Sequence, residues 1–314
     1  MQSSDQAPKP RQIPGMTLVS TALVGPACGA LITSVDELFQ EREPNGVLTW
    51  FQAGKMKSIA VEWNACSVTV RQEGSAPKAL YLGEGGQLVQ FDGQAFLDLP
   101  SVSARGLAGP LRSIRTVGAR CTLAVGTALQ VYRSDDWVDW RSEAIPLLPG
   151  VQAVDLGLES LAHFSEDEVY AVGWEGLLCQ RSKGEWQRID SPTNCDLFDI
   201  ACASDGVAYA VGDQGTVIRG RGSVWTAIEH GDTEEKLWGV ACLDGRVFIA
   251  SMNLLYELVG ENLVPVEPPD DEVFPSSVYR LTAAGSTLWS AGMKELFEFD
   301  GSRWTPLLSF FGAE

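Results

Sequence analysis

Val207 to Ile228 reads VAYAVGDQGTVIRGRGSVWTAI. Val207, Tyr209 and Val211 alternate as a strand does, Gly212-Asp213-Gln214-Gly215 forms a tight turn, and Val217 and Arg219 mark a second strand. A bend at Gly220 to Gly222 leads into a third strand, opened by Trp225 and closed by Ile228. The same pattern stands 39 residues upstream as VYAVGWEGLLCQRSKGEWQRI, Val169 to Ile189. Gly176 precedes Trp186 by ten residues, as Gly215 precedes Trp225. Repetition at this period sets the fold class before any single residue is interpreted.

The repeat continues in both directions. LWSAGMKELFEFDGSRWTPL (Leu288 to Leu307) keeps the turn and places Trp304 at the tryptophan position. VFIASMNLLYELVGENLVPV (Val247 to Val266) puts Leu263 there, LYLGEGGQLVQFDGQAFLDL (Leu80 to Leu99) puts Phe96, and LAVGTALQVYRSDDW ends in Trp137. A worn copy runs from Leu31 to Val47. The turn residues are then Glu37, Gly86, Thr127, Gly176, Gly215, Asn253 and Lys294, at steps of 49, 41, 49, 39, 38 and 41 residues. Periods of about 40 to 50 residues carrying several short strands belong to propeller blades. The prediction is an all-β chain: a seven-bladed β-propeller of four-stranded antiparallel blades over residues 16–314, behind a mobile arm at 1–15. In the clearest copy the strands are Leu197 to Cys202 (A), Val207 to Val211 (B), Thr216 to Arg219 (C) and Val224 to Ile228 (D). Blades stack face to face, so both faces of a central strand are dry and the B strands run nearly continuously apolar, as in AYAVG and VFIAS. The recurring tryptophans, with Tyr170 and Tyr209, read as packing between blades. Val35 to Arg42 has helical-looking content, but the repeat alignment reads it as a turn and strand.

The composition fits one closed unit: 314 residues, 45% hydrophobic, 32 glycines for bends. No apolar run approaches the roughly 18 residues of a membrane span. The N-terminus, MQSSDQAPKPRQIPG after an initiating Met1, lacks the basic-then-apolar layout of a secretory signal. The cysteines (Cys28, Cys66, Cys121, Cys179, Cys195, Cys202, Cys242) form no CxxC pair; Cys202 and Cys242, at matching places, read as small inward-pointing hydrophobes in a reducing compartment. A cytoplasmic protein is expected. The formal charge of −18 repels nucleic-acid phosphate and anionic lipid and attracts a basic partner. The expected partner is therefore a basic protein, with no nucleic acid and no membrane, met by a monomer.

Chemistry is sparse. Of the two histidines, His163 aligns with Cys202 on an A strand, and His230 lies in the acidic loop EHGDTEE. Neither has a nucleophile turn to serve, and two so placed make no multi-histidine metal site. GEGGQ at Gly83 to Gln87 is a turn with no following helix, and GDQG lacks the carboxylates of a calcium loop. The arginines singled out (Arg181, Arg219, Arg221, Arg303) fall on C strands and the bend before D, towards the rim. No catalytic residue, cofactor or metal is expected. In an up-and-down blade the B–C turns and D–A connections share one face, and there acids stand among exposed Trp and Met. The predicted partner-binding set is Trp174, Glu175, Asp213, Glu234, Glu235, Met252, Asp270, Asp271, Glu272 and Met293.

The core AVGxxG with a tryptophan ten residues after its second glycine, carried by Ala210 to Trp225 and Ala171 to Trp186, approximates AVGxxGxIxRxxGxxW and resembles bacterial BNR-like propellers, including relatives of photosystem assembly factors. The aspartate box of that superfamily, SxDxGxTW, survives only in fragments around Ser204, so no functional residue is carried over. The resemblance implies a non-catalytic platform for partners. An acidic platform of that kind also looks like the immunity proteins that neutralise basic bacterial toxins. The alternatives are a carbohydrate-active propeller (sialidase-like or glycan-binding), which would need an Arg/Asp/Glu cluster at the channel mouth, and an assembly factor or scaffold.

Overall fold

The computed structural model describes residues 11–13, 15–73, 76–104, 106–268 and 273–311. Seven antiparallel sheets follow one another along the chain, each pairing four consecutive strands in order. Their first strands, A, are Met16–Gly25, Ala65–Glu73, Leu111–Thr116, Leu158–Ser165, Leu197–Cys202, Gly239–Leu243 and Arg280–Ala284 in blades 1 to 7. Each A strand packs against the A strands of its two neighbours, and that of blade 7 against that of blade 1, so they ring a central channel. The predicted seven-bladed propeller is the fold, and all seven predicted turn residues lie between the B and C strands of their blades.

The alternation argument holds in detail. The B strands Thr122–Gly126, Ala208–Gly212 and Thr287–Ala291 are buried at every residue, because a blade lies against each of their faces. The outer wedges are closed by the tryptophans. Trp137, Trp186, Trp225 and Trp304 are all buried. Trp225 meets Tyr170 of the preceding blade edge-on at 5.5 Å, and the Trp137 ring is capped at 4.0 Å by the Arg71 guanidinium of blade 2. Trp186 donates Nε1–H to Glu143 of blade 3 (2.7 Å), which also takes two N–H bonds from Arg181, at 2.8 and 2.9 Å. That inter-blade pair is almost dry, so each bond counts for more than at a surface.

Two local expectations are corrected. Asp36–Gln40, read as part of a turn and strand, is a short helix that replaces the B–C turn of blade 1. Its Asp36 anchors it across the ring seam: Lys294 of blade 7 donates to Asp36 Oδ2 at 2.5 Å and to Thr17 Oγ1 at 2.9 Å. The second concerns the described part of the arm expected at 1–15. Arg11 and Gln12 pair in parallel with Leu308 and Ser309, adding a fifth strand to the outer edge of blade 7. The worn first repeat completes the ring, its A strand packing against that of blade 7. Among the described residues no helix is long and apolar enough to cross a membrane.

Candidate functional site

The B–C turns and D–A connections share one face and are tied to one another. Glu175 N donates to Asp196 Oδ1 (2.8 Å), Gly215 N to Glu235 O (2.8 Å), Val278 N to Met252 O (3.1 Å) and Leu18 N to Met293 O (2.9 Å). Gly215 sits at φ 67°, and a Cβ there would strike the Thr233 carbonyl, so only glycine lets the turn approach the next connection. These hydrogen bonds hold the loops as a shaped surface.

Seven of the predicted residues lie on this face as follows. Trp174 is half-buried and lies flat on Gly157, where a Cβ would come within 2.6 Å of its ring; its Nε1–H donates to Glu159 at 2.7 Å. Glu175 is exposed, with Asp213 beside it in the next blade forming an ion pair with Lys236 at 3.3 Å. Glu234 and Glu235 are exposed, and with Glu175 their carboxylates make no ion pair among the described residues. Glu234 borders a groove of about 300 Å³ beside His230. That imidazole accepts the Asp232 N–H on Nδ1 (3.0 Å), so Nε2 holds the proton given to Gly215 O (2.7 Å), a structural tie. Met252 and Met293 expose about two fifths of their surface, 41% and 42%. Asp270, Asp271 and Glu272 lie outside the described residues.

Sequence reasoning missed the inner edge of the face. Phe198 and Trp238 stack at 4.4 Å and 18°, and Trp238 meets Tyr279 at 5.3 Å. Lys236 Nζ lies 5.5 Å from the Phe198 ring centre and 5.9 Å from that of Trp238, and Arg280 stacks on Tyr279 at 4.8 Å. These three aromatics stand where the A strands of blades 5, 6 and 7 begin, at the mouth of the channel. A signal existed: they follow one another at 40 and 41 residues, in step with the repeat. Phe39, 73% exposed on the helix of blade 1, adds an apolar group that the turn reading overlooked.

The channel holds arginines that sequence reasoning did not single out. Arg112, Arg115 and Arg280, all on A strands, line it together with Glu159 and Asp199. This is the mixed-charge centre that a carbohydrate-active propeller would need, but its carboxylates are engaged. Asp199, 5% exposed, accepts the Ser160 hydroxyl (2.7 Å) and the Val240 N–H (3.1 Å), and Glu159 holds Trp174. The chamber they border is about 50 Å³, room for a few waters. Deeper in, Cys202, Cys242 and His163 line a second chamber of about 200 Å³; burial pushes the Cys242 thiol up to about 12, so it stays protonated. Among the described residues no three His, Cys, Asp or Glu side chains are grouped to hold a metal ion.

No family model matches the chain. Among curated proteins it is 37% identical over 262 residues to the immune protein Tsi7 of Pseudomonas aeruginosa, a match spanning 82% of this chain and 84% of that one. Among solved structures, YCF48 bound to D1 peptide superposes with a TM-score of 0.66 at 15% identity, covering 93% of this chain and 94% of its own. YCF48 from Cyanidioschyzon merolae gives 0.65 at 12% identity, covering 94% and 98%. The resemblance to assembly-factor propellers is thus one of fold.

Proposed function

We infer the function from kinship: this chain belongs to the family of the immune protein Tsi7. It is an immunity-type protein, and its partner is a toxin protein. The observation that carries this is the 37% identity sustained over 262 residues. Beyond the family, we propose that the toxin docks on the loop face, that its contacting surface is basic, and that the propeller acts as a cytoplasmic monomer by binding alone, without catalysis. Two features support that reading. Glu175, Glu234 and Glu235 project unpaired carboxylates in a chain of formal charge −18, which steers a basic partner. Behind them Trp174, Trp238, Met252 and Met293 supply apolar anchors, the combination of charged rim and aromatic centre on which protein interfaces depend.

The test is co-expression with any toxin-like protein whose gene neighbours this one. The wild-type chain should restore growth and co-purify with the toxin, less tightly at high salt. The triple variant Glu175→Lys, Glu234→Lys, Glu235→Lys should fold, yet lose both. Undiminished affinity in the triple variant would move the interface elsewhere; a chain that neither binds nor protects would remove the toxin reading.

A further inference from the structure

Arg115 differs from every other arginine near the channel. Arg112 pairs with Glu84 at 3.2 Å, and Arg280 donates to the Trp238 carbonyl at 3.3 Å. Arg115 lies between the two chambers and borders both, yet among the described residues its guanidinium makes no hydrogen bond and no ion pair. The carboxylate that acts on it, Asp199, also accepts from Ser160 and Val240. A second donor beside it is also unmet: Arg112 Nε is buried without a hydrogen-bond partner, 3.9 Å from Glu159. Burial weakens the hold of Arg115 on its proton, Asp199 strengthens it and Arg280 opposes it. A guanidinium keeps its charge regardless, with five N–H donors in a planar fork. Donors without a protein partner in a channel are met by water or by an anion, and a bidentate oxyanion satisfies two at once. Arg112, Arg115 and Arg280 line the smaller chamber with Glu159 and Asp199, and Glu84 takes up Arg112 from beside it, so Arg115 is the arginine there without a contact of its own among the described residues. The larger chamber, about 200 Å³ and also lined by Thr282 and His163, has room for a small anion with several waters.

We propose that the channel binds a small oxyanion on Arg115, in the chamber shared with His163 and Thr282. The anion sits at the junction of the two chambers, screens Arg115 from Arg280, and stiffens the ring from its axis. This site is independent of the toxin reading, because it is tested on the isolated protein.

His163 reports on it. Burial first, and the positive charge of Arg115 second, hold its imidazole below the ordinary 6.5, while Glu166 pulls the other way. An anion on Arg115 cancels the second cause, so the pKa of His163 must rise. With only two histidines in the chain, both ring signals are followed readily by NMR. Inorganic phosphate, titrated through the millimolar range at constant ionic strength with sodium chloride, should shift the His163 signal saturably, leave His230 in place, and raise Tm. Acetate forms the second arm: a response to acetate without phosphate assigns the site to a carboxylate, the group a partner chain would insert. Either response supports the site. Arg115→Gln should abolish it; if that variant fails to fold, Arg280→Gln should weaken it several-fold. The proposal is overturned if neither anion moves His163, if chloride alone moves it equally, or if Arg115→Gln responds as the wild type does.

Discussion

The loop face and the channel it surrounds hold their charges in opposite ways. On the face, Glu175, Glu234 and Glu235 stand in solvent without ion-pair partners among the described residues. A few residues inward, Arg112, Arg115 and Arg280 crowd around Asp199 in a space of tens of cubic ångströms. The difference teaches where charge does work in this fold. An exposed carboxylate adds little to stability, since water screens it, but it shapes the field that an approaching partner meets. A channel charge is held by fixed donors, and its removal is felt by the fold.

Four outcomes would break or sharpen that contrast. Asp199→Ala should have the largest effect. It frees the Ser160 hydroxyl and the Val240 N–H and leaves Arg115 facing Arg280 without a counter-charge, a loss of about 3–5 kcal/mol read from the urea midpoint. A loss below about 1 kcal/mol would mean the channel tolerates charge as the surface does. The triple reversal of Glu175, Glu234 and Glu235 to lysine should do the converse. Toxin association should fall by about a hundredfold at low salt, mostly through the on-rate, with the urea midpoint almost unmoved. Trp238→Ala tests the boundary between the two regions. It should cost about 1–2 kcal/mol of binding while costing less of folding, because Trp238 lies half-buried at the mouth. Equal losses in both would make it a core residue only.

The smallest effect is the acid limb. The Arg221 hydrogen bonds hold the Glu168 carboxyl below its ordinary 4.5, those of Arg246 do the same for Glu257, and the Arg303 and Ser302 N–H groups hold Asp300 below 3.8. Depressed carboxylates stabilise the fold fully above their unfolded values and lose that contribution as pH falls through the folded ones. Stability should therefore be flat on this account above about 5 and decline below about 4.5, with Glu257→Gln flattening part of the decline. A chain whose urea midpoint is unchanged down to pH 3 would show these pairs to be idle.

Much of the fold was legible because propeller blades advertise themselves locally. The tryptophan ten residues after the turn glycine, and the continuous apolar B strands, depend on contacts that every blade repeats, so they recur at one period. Trp186, Trp225 and Trp304 could be assigned to packing, and the face of Trp174, Asp213 and Met252 followed from connectivity. Helix Asp36–Gln40 escaped because a five-residue helix can fill the space of a turn without disturbing the strands on either side. The arginine centre escaped for a different reason. Arg115 sits in LRSIRT and Arg280 in VYRLTA, segments with no shared motif, and nothing in either marks a neighbour on the far side of a ring.

The sequence by itself determined the number of blades, the strand order within each and which loops share a face, since all three follow from side-chain alternation and repeat spacing. Only the tertiary structure decided that Phe198, Trp238 and Tyr279 stack at the channel mouth, that Arg11 and Gln12 pair with the last strand of blade 7, and that Arg115 has no hydrogen-bond or ion-pair partner among the described residues. Those facts arise when closure of the ring brings residues from different blades within a few ångströms of one axis, and chain order carries no record of that distance.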